Sequence, residues 1–132
     1  MDLFNRIIDG LQRNMDLRLQ RQTYINANIA NAETPGYHPR ELNFEEALAG
    51  YMERDDLKMQ GTNGEHMGAY DQLNEVQGEV IEQTGEVGPD GNTVDLDRQM
   101  AELTSNSFNY RASAKMVNKK LAMIKYVINE SR

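Results

Sequence analysis

Reactive side chains are few in this sequence, and none falls at a catalytic spacing. The only histidines are His38 and His66. His38 lies between Tyr37 and Pro39 in a loop, and neither histidine has a second ligand at metal spacing, so both read as surface residues. Glu45, Glu46, Glu53, Asp55 and Asp56 could form a carboxylate cluster. Nothing apolar beside them would raise a pKa for acid–base work, and a solvated charge run is the simpler reading. The stretch Asp90-Gly91-Asn92-Thr93-Val94-Asp95 has the composition of a calcium loop without its alternating ligand order or closing glutamate. A Pro89-Asp90-Gly91 turn remains. Glycines 85, 88 and 91 are not followed by Gly-Lys-Ser/Thr, so no phosphate cradle is expected. Ser105, Ser107, Ser113 and Ser131 have no histidine in a local motif to activate them. With no cysteine, thiolate chemistry, disulfides and cysteine-held metals are excluded. The sequence reads as a non-enzyme with no cofactor.

The totals agree with a structural part. At 132 residues the chain is one domain, or one domain with an extension. A mean hydropathy of -0.74 and 39% hydrophobic residues leave little for an ordinary isolated core. The net charge of -7 divides unevenly, at +1 over residues 1–32, -12 over 33–95 and +4 over 96–132. An acidic middle between two mildly basic ends repels nucleic acid, and no aromatic-rich basic patch argues otherwise. No run reaches the roughly 18 apolar residues that span a bilayer. Asp2, Arg6 and Asp9 interrupt the N-terminal apolar residues, so no cleavable signal is expected.

Everything turns on Asn28-Ile29-Ala30-Asn31-Ala32-Glu33-Thr34-Pro35-Gly36-Tyr37. Upstream, Phe4, Ile8, Leu11, Met15, Arg18, Gln22, Ile25, Ile29 and Ala32 alternate four and three. That spacing predicts a helix of about 30 residues, about 45 Å long. Leu3, Ile7, Leu17, Leu19 and Tyr24 fall outside this stripe, as in a helix that touches more than one neighbour. Pro35 biases Thr34 away from helical backbone, so the helix should end near Glu33, and Gly36 permits a positive φ. The plain reading is a helix stop with a turn. The sharper one is a junction whose asparagines and Tyr37 hold subunits in register.

Beyond it, Asn43-Phe44-Glu45-Glu46 looks like a capping box opening a short helix from Phe44 to about Met52, burying Phe44, Leu48 and Tyr51. Leu57 to Tyr70 could form a hairpin turning near Asn63-Gly64. From Asp71 to Asp90 the sequence predicts extended or poorly ordered backbone anchored only at Val76, Val80, Ile81 and Val87. Asp95 is a plausible N-cap for a second long helix. There Leu96, Met100, Leu103, Ser107, Tyr110, Ala114, Val117, Leu121, Ile124 and Ile128 make a coiled-coil seam. The expected fold is mainly α. The N-terminal helix (1–34) and C-terminal helix (95–132) pair as an antiparallel coiled-coil hairpin, joined by an irregular acidic connector (35–94). Two helices cannot enclose their own apolar residues. Each leucine-sized side chain left uncovered forgoes about 1.5–3 kcal/mol, so the flanks favour assembly. Expected subunit-interface residues are Phe4, Ile8, Leu11 and Ile25, with Leu103, Tyr110, Val117, Leu121, Ile124 and Ile128.

The Asn28–Tyr37 stretch resembles the N-terminal signature of bacterial flagellar rod and hook proteins. In these an Asn-x-Ala-Asn element precedes Thr-Pro-Gly-Tyr at the end of a long terminal helix. Asp90-Gly91-Asn92-Thr93-Val94-Asp95-Leu96-Asp97-Arg98-Gln99-Met100, with Asn106 and Tyr110, is similar to the C-terminal segment of a rod protein of the basal body. The two matches cover the ends of the chain, and residues 45–88 carry little diagnostic sequence. The resemblance implies a structural subunit of the proximal rod, assembling helically around a channel and serving motility. Its implied partners are itself, other rod proteins, and the FliE adaptor and export gate at the base. It further implies type III export without signal cleavage, with Phe4 and Ile8 as export-element candidates by spacing. It adds Asn28, Asn31, Thr34, Pro35, Gly36 and Tyr37 to the expected interface. A soluble helical-hairpin adaptor or export chaperone stays open as the alternative.

Overall fold

The computed structural model describes residues 2–56 and 76–130, with side chains described over 7–50 and 76–130. In chain order these form α1 (Asp2–Ala30), β1 (Arg40–Asn43), α2 (Glu45–Asp56), β2 (Glu79–Glu82) and α3 (Leu96–Glu130). No described helix is long and apolar enough to cross a membrane.

The two terminal helices lie antiparallel, as expected of a hairpin joined by the connector. Cross-helix hydrogen bonds give the register: Asn28 to Gln99 (3.0 Å), Asn106 to Gln22 (3.0 Å) and Ser113 to Asn14 (3.4 Å). Asp95 caps α3 as expected, its carboxylate accepting from the Arg98 amide at 3.1 Å and its carbonyl from the Gln99 amide at 3.0 Å.

Several boundaries differ from expectation. Regular α1 stops at Ala30, not near Glu33. Its last turn tightens, with the Ala32 amide donating to Ile29 and the Thr34 amide to Asn31. Asn43 does not cap α2, because its backbone belongs to β1 and pairs with Glu79. The cap falls to Phe44, whose carbonyl accepts from the Leu48 amide at 2.9 Å. The helix then runs from Glu45 to Asp56, past the expected end at Met52. The hairpin expected over 57–70 lies outside the described residues. The sheet that does form joins distant segments in antiparallel register, Leu42 opposite Val80 and Glu41 opposite Ile81. Part of the stretch expected to be extended or poorly ordered is therefore a strand, β2.

A small core clamps the connector onto α1. Leu17, Leu42, Phe44 and Val76 are buried together, with Tyr24 and Leu48 against them. Leu17 and Tyr24, outside the main stripe of α1, are thus covered by the chain's own connector. Phe44 sits under two guanidinium groups, Arg21 at 4.6 Å and Arg18 at 5.4 Å from its ring centre. Arg21 also donates to the Leu42 carbonyl and grips both Glu45 oxygens at 2.6 Å. Arg13 closes the far end of the clamp by donating to the Val76 carbonyl at 2.9 Å.

Candidate functional site

Asn28 is the hub of the junction. Its Nδ2 donates to the Arg40 carbonyl (2.8 Å) and to Gln99 Oε1 (3.0 Å). Its Oδ1 accepts from the Arg40 amide (3.0 Å) and the Tyr37 hydroxyl (3.1 Å). Two donors and two lone pairs exhaust an asparagine side chain, and Asn28 is 1% exposed. One residue on α1 therefore ties the connector, the turn and α3 together inside the subunit.

The motif from the other end of the sequence closes the same helix terminus. Asn92 Nδ2 lies 3.0, 2.9 and 2.8 Å from the carbonyls of Asn31, Ala32 and Thr34. These carbonyls lie just past the end of α1, and those of Asn31 and Thr34 also accept from the Thr34 and Tyr37 amides. Asn92 Oδ1 accepts from the Val94 amide at 2.7 Å, which holds the side chain in place. Asn31 caps locally, donating to the Ala27 carbonyl and accepting from the Thr34 hydroxyl. Two backbone bonds bridge the loops, Gly36 N–H to Asp90 O (3.0 Å) and Thr93 N–H to Tyr37 O (3.2 Å). Gly36 and Gly91 take φ of +70° and +79°, and a Cβ on Gly91 would meet the Gly36 Cα at 3.5 Å. Residues 90–92 thus form a turn docked on the helix end, not a calcium loop, and no group of three metal-ligating side chains occurs among the described residues.

An amide chain continues into α3. Gln99, fully buried, donates to Gln83 Oε1 at 2.9 Å, and Gln83 donates to Glu41 at 2.6 Å. Gln83 carries no signal in the sequence: it stands in a polar stretch without periodicity. Gln99 and Asn106 do have one, because Gln99, Asn106, Ser113 and Lys120 recur every seventh residue. This polar heptad row, with Leu103, Tyr110, Val117 and Ile124, faces α1.

The ten-position seam of α3 is therefore divided. Leu103, Tyr110, Val117 and Ile124 are half-buried against α1, as are Ile8 and Leu11 on the other side, and Ile25 is buried. In the seam's other row Met100, Leu121 and Ile128 are 49–61% exposed, with Ser107 and Ala114 half-buried between them, while Leu96, in the first turn of α3, is 48% exposed. Thr34, Pro35 and Gly36 are exposed, Asn31 and Tyr37 half-buried. The side chain of Phe4, like those of His66, Tyr51, Glu53, Asp55 and Asp56, lies outside the described residues. His38 is exposed, with its Nδ1 3.3 Å from the Thr93 hydroxyl. Glu45 is more than a solvated charge. Partial burial raises its pKa, but the hydrogen bond and charge of Arg21 outweigh that and hold it below the ordinary glutamate value. Burial lowers the Arg18 pKa, with Glu45 opposing.

Paired terminal helices, a lock joining both sequence motifs, and an apolar strip left outside define a helical-hairpin structural subunit. No family model matches the chain. Relatives do: it is 30% identical to the flagellar basal body rod protein FlgB of Buchnera aphidicola over 94% of this chain and 95% of that one. It is 33% identical to Escherichia coli FlgB over 86% of each chain, and 32% identical to Salmonella typhimurium FlgB over 92% and 91%. The chain belongs to the FlgB family of flagellar basal body rod proteins. It is a structural subunit of the rod, and the adaptor or chaperone alternative is not better supported.

Proposed function

We propose that this chain forms the proximal, membrane-side part of the rod in the periplasm, meeting the FliE adaptor and export gate below and other rod proteins above. It reaches that place through the type III export path without signal cleavage, and its lock and hairpin act in assembly, not catalysis. The near full-length likeness to FlgB carries the reading. The 48–61% exposure of Leu96, Met100, Leu121 and Ile128 supports assembly through α3. The interface residues divide accordingly. Leu121 and Ile128 meet neighbours directly, whereas Asn28 and Tyr37 hold the junction whose exposed crest, Thr34-Pro35-Gly36, neighbours meet. Electron microscopy of basal bodies carrying a tagged chain should find the tag at the base of the rod. A rod complete without it would sink the proposal. Photo-crosslinkers at Leu121 and Ile128 should capture rod proteins and the FliE adaptor.

A further inference from the structure

The lock and clamp divide the subunit into two halves of opposite charge. The connector covers α1 from Arg13, which holds Val76, to Asn28, which holds Arg40. Because Asn14 faces Ser113, α3 from about Lys115 onward extends beyond that cover. This stem is about 24 Å long at 1.5 Å per residue. No acid occurs between residues 103 and 129, and Lys115, Lys119 and Lys125 are exposed there. Among these cations Met116, Met123 and Tyr126 are 47–67% exposed. On the covered half, residues 76–90 contain no base, and Glu79, Glu82 and Glu86 are exposed. They flank Val80, Ile81 and Val87, which are 37–69% exposed. Val80 and Glu82 lie on one face of β2, Glu79 and Ile81 on the other, and the outer edge of the two-stranded sheet is open to both. The β2 stretch and the α3 stem thus present apolar side chains among charges of opposite predominant sign, with Arg40, opposite Glu82 on β1, an exposed base beside the acidic stretch.

We infer that the acidic outer edge of β2 of one copy docks on the basic apolar stem of α3 of a second copy. The two patches differ in place and charge, so the contact is heterologous. Its repetition does not close on a twofold axis, and it gives a ring where the rotation closes and an open array where it does not. Lysines among methionines on the stem match glutamates among valines on the strand. Opposite charges fix which surfaces meet, and apolar burial supplies the attraction that salt does not screen. The inference rests on the rod-subunit reading and names the self-contact within it.

The absence of native cysteine makes the test direct. Val80→Cys and Met116→Cys, placed together in the full chain, should give a ladder of oxidised multimers in isolated basal bodies. The two single variants expressed together should give mixed dimers, and neither alone should. Monomers only, pairing of one single variant with itself, or crosslinks solely to other rod proteins would overturn the inference. If a tagged chain is nevertheless found in the rod, the rod-subunit reading survives that failure. Charge exchange gives a second readout. E79K/E82K and K115E/K119E should each abolish swimming with helical circular dichroism intact, and their combination should restore it. Swimming retained in both single-patch variants would also overturn the contact.

Discussion

Asn28 and Asn92 both bind backbone carbonyls at the junction, yet removing them should differ in consequence. Asn28→Ala takes the partner from the part-buried Arg40 amide and carbonyl and from the buried Gln99 Oε1, while Gln99 keeps its bond to Gln83. Each unsatisfied group costs about 1–3 kcal/mol, so thermal unfolding of the purified chain should show a large loss. Asn92→Ala removes a donor from turn carbonyls of which Asn31 and Thr34 keep a backbone partner, and should cost about 1 kcal/mol, read as a smaller fall in the midpoint. Equal effects would contradict the hub assignment of Asn28. Glu45 supplies the pH dependence. Its pKa is lowered in the folded state, so its contribution is present above the unfolded-state value and is lost as pH falls through the folded one. Stability should therefore decline on the acid side, and Glu45→Gln should flatten that decline in urea titrations at stepped pH.

At the scale of the helix, the divided seam separates folding from assembly. Val117 is half-buried against α1, whereas Leu121 is 50% exposed. Val117→Asp places a charge in the intramolecular seam and should destabilise the isolated chain by about 2–3 kcal/mol. Leu121→Asp should change that stability by less than about 0.5 kcal/mol, as surface substitutions do, while still blocking rod formation. Chemical denaturation with motility assays on the same pair reads both effects. The polar row also has a structural consequence. Asn106 donates to the Arg18 carbonyl and Gln22, while its own Oδ1 is buried without a protein partner. A polar layer in a helical seam lowers stability and fixes register. In this hairpin it aligns Asn28 with Gln99, and so assembles the lock.

At the scale of the molecule, a core of four buried, clustered side chains holds the connector, and Phe44 is the largest of them. Phe44→Ala removes a buried ring and the surface on which Arg18 and Arg21 stack. The loss should be about 3–5 kcal/mol, a large share of the total stability of a domain this small. Proteolysis of the purified variant should release the connector while α1 and α3 remain paired. Cleavage at the wild-type rate would show that the clamp does not organise the connector.

The sequence determined what depends on local periodicity and local chemistry. Four-three spacing made both long helices and their antiparallel pairing legible, and Asp95, Pro35 and Gly36 marked their ends. The Asn28–Tyr37 and Asp90–Met100 motifs identified the wider family. Only the tertiary structure decided what those motifs do to each other. Asn92 reaches carbonyls some 60 residues away, and β1 pairs with a strand that shares no local pattern with it. Such contacts depend on where the connector is clamped, which no window of the sequence encodes. The same reason explains the seam. A ten-position stripe that is apolar except at Ser107 tells that a helix must be covered, but not by whom. The polar row beside it turned half of that stripe toward α1 and left the other half outside.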